Sequence, residues 1–106
     1  MSEFFVKVHH QVGKQDIPNL PEQLQEDFEN IFKKILKVDP YNRRGLKGHD
    51  LDPRRELAGC KTFDIYYLGD AYRIVYKIND LPKVMRVDVL SFDFHDSAYD
   101  KAADRI

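Results

Sequence analysis

The chain has 106 residues, 42% hydrophobic and 33% charged, with a formal net charge of -1, which supplies apolar material for one compact core and excludes two. No apolar run approaches the roughly 18 to 20 residues that span a bilayer, the start Met1-Ser2-Glu3-Phe4-Phe5 lacks the basic and apolar regions of an export signal, and the single Cys60 can form neither an internal disulfide nor a cysteine-rich metal site. The near-balanced charge argues against holding nucleic acid by bulk electrostatics, and a soluble cytoplasmic domain with a reduced Cys60 is expected.

Phe4, Val6 and Val8 alternate with Phe5, Lys7 and His9, the period of a strand with one better-buried face. His9 and His10 follow; adjacent strand positions point to opposite faces, so this pair is not expected to chelate a metal. Residues 13–20 read as a turn region. In Asn19-Leu20-Pro21-Glu22, a capping Asn19, a first-turn Pro21 and Glu22 three residues on predict a helix start. Leu24, Phe28, Ile31, Phe32 and Ile35 then form an apolar stripe, with Glu22, Gln25, Glu29, Lys33 and Lys37 toward solvent. The helix is expected to end near Asp39-Pro40, because a residue before proline is pushed out of helical conformation.

Residues 41–59 hold Gly45, Gly48, Pro53 and Gly59 and are expected to form a long loop with a short strand or a turn of helix, anchored by Leu46, Leu51 and Leu57. Its basic cluster, Arg43, Arg44, Lys47, Arg54, Arg55 and Lys61, is broken by Asp50, Asp52 and Glu56. Strands are predicted over 61–68, 71–79 and 83–94, with turns at Gly69-Asp70 and Asn79-Asp80-Leu81-Pro82 and a short closing helix over 95–105. Strands joined by short turns pair antiparallel. The expected fold class is therefore α+β, a small single domain in which an antiparallel sheet, the N-terminal strand plus a C-terminal three-strand meander, packs on one or two N-terminal helices, with a short C-terminal helix.

Arg73 lies inside the strand Tyr72-Arg73-Ile74-Val75-Tyr76. A cation there calls for an anion, either a carboxylate across the sheet, Asp64 or Asp88, or a ligand phosphate. The aromatics Tyr66, Tyr67, Phe92 and Phe94 are expected in the core rather than as a stacking platform.

Three features taken together, Pro40 after the helix, Asp70-Ala71-Tyr72-Arg73-Ile74-Val75-Tyr76, and His95-Asp96-Ser97-Ala98-Tyr99 before the terminal helix, resemble the RelE/ParE superfamily of bacterial toxins from toxin–antitoxin pairs. The resemblance covers nearly the whole chain and points to the histidine-containing subgroup of RelE-like mRNA interferases. It implies a metal-independent endoribonuclease without cofactor, acting on mRNA alone or on the ribosome and held inactive by a cognate antitoxin in a hetero-oligomer. The implied chemistry is attack of a 2′-hydroxyl on the adjacent phosphate. On this resemblance Arg73 stabilises phosphoryl charge, His95 transfers a proton, Tyr99 orients it or stacks on a base, and His49 and Asp70 are further catalytic candidates. Arg54, Arg55, Lys61 and Lys77 would line the RNA backbone. The chain departs from the family where ribosome-dependent members carry lysines on the strand before the arginine strand, since Asp64 and Tyr66 stand there. That departure keeps open a ParE-like toxin that inhibits gyrase without nuclease activity, or a catalytically inactive binding module.

Overall fold

The structure is a computed structural model that describes residues 3–42, 59–81 and 83–106, together with the backbone of 48–50. Its centre is a five-stranded sheet of order β1-β5-β4-β3-β2, built from β1 (Phe5–Val8), β2 (Gly48–Asp50), β3 (Cys60–Tyr67), β4 (Asp70–Asn79) and β5 (Arg86–Phe94). The β2, β3, β4 and β5 pairings are antiparallel, as expected of a meander. β1 instead runs parallel to β5, with Val6 opposite Val87, so the sheet is mixed. The intervening helices allow this, since they return the chain to the far end of the sheet before β5 is laid down. The short strand in the 41–59 segment is β2, whereas Leu46, Leu51 and Leu57 lie outside the described residues.

The turn between β3 and β4 is Leu68-Gly69, one residue earlier than the sequence suggests. Both residues have positive φ, 51° and 86°, the requirement of a two-residue hairpin whose twist matches its strands. Asp70 is thereby the first residue of β4, paired with Tyr67.

Helical structure begins sooner than predicted. Val12–Asp16 forms a wide π turn and Ile17–Asn19 a 3-10 turn in place of the expected turn region. The main helix follows as α1 (Glu22–Asp27), a π turn at Phe28–Phe32, and α2 (Lys33–Val38). Asn19 does not cap it: its amide donates to the Gln15 carbonyl, and the Gln25 side chain donates to the Leu20 carbonyl instead. The π turn adds a residue to the helical repeat and so rotates the apolar stripe. Ile31, placed in the stripe by its spacing, is 46% exposed, while Leu36 is 1% exposed. The helix stops at Asp39, before Pro40, whose carbonyl accepts a 2.7 Å hydrogen bond from the buried Tyr76 hydroxyl. Among the described residues no helix is long and apolar enough to cross a membrane.

The sheet separates two apolar layers. On one face Leu24, Phe28 and Leu36 meet Phe63, Ile74, Tyr76, Val87, Val89 and Phe92. On the other, the terminal helix α3 (Ser97–Asp104) seats Ala98 and Ala102 on Cys60, Val75 and Leu90. β5 serves both layers through a bulge: Tyr76 pairs with Val89 and Val75 with Ser91, leaving Leu90 as the extra residue. Leu90 and Ser91 thus both turn toward α3, and the Ser91 hydroxyl donates to the Ala98 carbonyl. Phe92 returns to the main core and Asp93 to the α3 face.

Candidate functional site

Alternation along β4 puts Ala71, Arg73, Val75 and Lys77 on the α3 face. Register sets Arg73 between Asp64 of β3 and Asp93 of β5. Burial alone makes such a cation costly, and the structure meets that cost from three sides. Its Nε lies 3.5 Å from Asp64 Oδ1, its Nη1 3.3 Å from Asp96 Oδ1, and its guanidinium carbon 5.0 Å from the centre of the Tyr99 ring. The last distance is that of a cation–π contact.

These contacts differ in strength. Asp64 is 9% exposed and faces the arginine from the sheet as an ion pair without a hydrogen bond between Nε and Oδ1, whereas Asp96 is 77% exposed, where an ion pair contributes only about 0–1 kcal/mol. Asp96 precedes α3, a position from which an aspartate commonly caps a helix, but it makes no side-chain cap and turns to Arg73. Asp93 is occupied elsewhere. It accepts 2.6 Å from Lys101 and 2.7 Å from the Phe94 N–H. The hydrogen bond to Asp93 is the main reason the Lys101 ammonium is held above its ordinary range. The Arg73 side chain is 21% exposed, with its Nε buried.

Of the residues singled out from sequence, Arg73 and Tyr99 are in contact. His95 lies at the same end of the sheet, in the turn from β5 to α3, with φ 48° and its N–H donating to the Ala71 carbonyl. Its ring meets the Phe94 ring at 4.2 Å, and the imidazole makes no hydrogen bond to a described residue. Tyr99 meets the guanidinium. His49 pairs with Thr62, one sheet row from the Asp64–Arg73 pair, as far as its backbone shows.

The structure separates the others from Arg73. Asp70 is exposed and, by alternation, on the opposite face of β4. Lys61 pairs with Tyr76 and belongs to that opposite face too. Lys77 shares the face of Arg73 but lies beyond the buried Val75, with α3 seated between them. Arg54 and Arg55 lie outside the described residues.

Asp96, Asp93 and Lys101 were not singled out from sequence. Asp93 could have been found as the β5 residue facing Arg73, whereas Asp96 has the local signature of a helix cap and gives no sign of its long-range partner. Of the two carboxylates expected to pair Arg73, Asp64 does so; Asp88 is instead bound by Arg86 and Asn79. The aromatics also divide. Phe92 is buried and Tyr67 packs on the core, but Tyr66 is 59% exposed, one alternate position from Asp64 on the α3 face.

No family model matches the sequence, and no curated protein does. Among solved structures the chain is similar to an arginine-substituted mutant of the E. coli toxin RelE in the free state, with a TM-score of 0.62 and 19% identity over 98% of both chains. It is also similar to a chain of the intact E. coli RelBE toxin–antitoxin complex, with a TM-score of 0.52 and 18% identity, covering 85% of this chain and 94% of that one. The α+β fold of this chain is the RelE fold.

Proposed function

We propose that this chain is a RelE-like toxin of a toxin–antitoxin pair and a metal-independent endoribonuclease that cleaves mRNA, free or on the ribosome. One observation carries the reading: Arg73 is anchored from below by a nearly buried Asp64, backed by the Tyr99 ring, and met at its Nη1 by an exposed Asp96 that a phosphate can displace. A planar guanidinium so fixed suits two phosphoryl oxygens. The likeness to RelE supports the toxin reading, and the likeness to a chain of the RelBE complex supports an antitoxin as partner.

In the proposed reaction a 2′-oxygen forms a bond to the adjacent phosphorus as the bond from phosphorus to the 5′-oxygen breaks. The products are a 2′,3′-cyclic phosphate and a free 5′-hydroxyl. One group takes the 2′-proton and another gives a proton to the leaving oxygen. His95 is the proton-transfer residue at this end of the sheet, and His49 is the second candidate. Arg73 stabilises charge on the phosphoryl oxygens.

The test is cleavage of defined RNA by the purified chain, alone and with translating ribosomes, beside growth of induced cells. Arg73→Ala and His95→Ala are each expected to lower cleavage by about 10²–10³-fold and to relieve growth arrest while circular dichroism stays unchanged. The carboxylates Asp64, Asp93 and Asp96 around the arginine favour a second reading, an inactive binding module. Absence of both cleavage and growth arrest would establish that reading, and growth arrest with impaired DNA supercoiling but intact message would point to gyrase.

A further inference from the structure

We propose that the groove beyond α3, lined by Lys7, His9, Lys77, Arg86 and Arg105, is a second site, one that binds a phosphate-bearing anion. It is a cavity of about 360 Å³, within the size range of small-molecule pockets. It is separate from the Arg73 site: Lys77 and Arg73 are four residues apart on β4, roughly 13 Å along a strand, with Val75 buried beneath Ala98 and Ala102 between them.

The charge pattern identifies the ligand. Lys7 and Lys77 both pair in register with Asp88, from either side across three strands. Simple cross-strand neutralisation would have the Asp88 carboxylate serve both lysines, yet it is bound elsewhere. Arg86 meets it through Nε at 2.8 Å and Nη2 at 3.2 Å, and the Asn79 amide donates to it as well. Arg105 is likewise taken, by Asp16 and by the Leu90 carbonyl. With Arg86 matched by Asp88 and Arg105 by Asp16, the exposed Lys7 and Lys77 are left with no salt bridge among the described residues, and both line the one cavity.

Their strands are about 10 Å apart, a span that two flexible four-carbon stems close onto a single multivalent anion. A phosphate monoester carries nearly the two negative charges that the lysines lack. His9 adds a ring whose protonation is disfavoured, first by burial and then by the neighbouring His10. It therefore offers a neutral ring beside the cations. Ile106, exposed at the groove, supplies an apolar contact for whatever the phosphate is attached to.

The same chemistry is offered by a free phosphorylated metabolite and by the backbone of a nucleic acid, and the experiment separates them. Inorganic pyrophosphate, AMP and a five-nucleotide RNA would be titrated into the full chain by calorimetry, with amide chemical shifts followed in parallel. Saturable binding is expected, with shifts centred on Lys7, Lys77 and Arg86. The double variant Lys7→Gln, Lys77→Gln should weaken binding at least tenfold, whereas Lys34→Gln and Arg73→Ala should leave those shifts intact. AMP equal to or better than the oligonucleotide indicates a small ligand, and a tighter oligonucleotide with the same lysine dependence indicates a nucleic-acid backbone; both support the site. Absence of saturable binding, or equal weakening by Lys34→Gln, overturns it. The Arg73 variant keeps this outcome distinct from failure of the nuclease proposal.

Discussion

Asp96 stands where a ligand oxygen would stand against Arg73. Because it is mostly exposed, its hold is weak, and on the proposed reading it would give way to a ligand. Replacing it should help. Asp96→Asn is expected to raise the affinity of the Arg73 site for RNA up to about fivefold, the ceiling for removing an exposed pair of about 1 kcal/mol. Asp64→Asn, which frees the arginine from its sheet-side anchor, should lower it. A titration in which Asp96→Asn binds more weakly than the parent chain would instead make Asp96 part of the site. Cys60 has a different role. Burial pushes its thiol up, leaving it protonated and inert in the α3 layer.

At the scale of elements, the π turn at Phe28–Phe32 decides which face of the N-terminal helix is a core face. Leu36→Ala is expected to cost about 2–5 kcal/mol by denaturant unfolding, and Ile31→Ala about 0.5 kcal/mol or less. A plain α-helical stripe predicts the reverse order. The example shows where the sequence was legible. Strands could be read because alternation needs only neighbouring residues, and the helix could be ended because Pro40 acts locally. The π turn and the Leu90 bulge each insert one residue for reasons of packing with distant partners, and no local pattern announces them. The same division holds at the site. Arg73 was visible as a charge out of place in a strand, and Asp64 as its cross-strand match. The roles of Asp96 and Lys101 depend on how α3 lies across the sheet, whereas the separation of Lys77 from Arg73 follows from strand rise alone.

For the molecule as a whole, the decisive contact joins residues far apart in the chain. Beyond the end of β1 the edge of β5 would present unpaired N–H groups, and the buried Asp16 carboxylate takes the one from Phe92 at 2.9 Å. Its charge is matched by Arg105, through a fork at 2.8 and 2.9 Å, and by Lys101 at 3.4 Å. One carboxylate thus ties the first helical turns, the last strand and α3 together. Removing one partner of such a buried pair leaves the other charge uncompensated. Asp16→Ala is expected to destabilise the fold by about 3–5 kcal/mol and to speed amide exchange throughout α3. A loss below 1 kcal/mol would mean that α3 is held by its alanine contacts alone.

The unpaired residue in β5 also limits how this protein can change in length. Excision of Leu90 would forfeit one apolar side chain and the carbonyl held by Arg105, yet Val89 would still face Tyr76 and Ser91 would still face Val75. Excision of Val89 or Ser91 would be absorbed in the same way, with Leu90 taking the vacated place, whereas losing Phe92 would put Ser91 or Asp93 opposite Ile74 in the apolar core. Natural variants that differ by a single codon within this strand are therefore expected to do so at the bulge, positions 89–91.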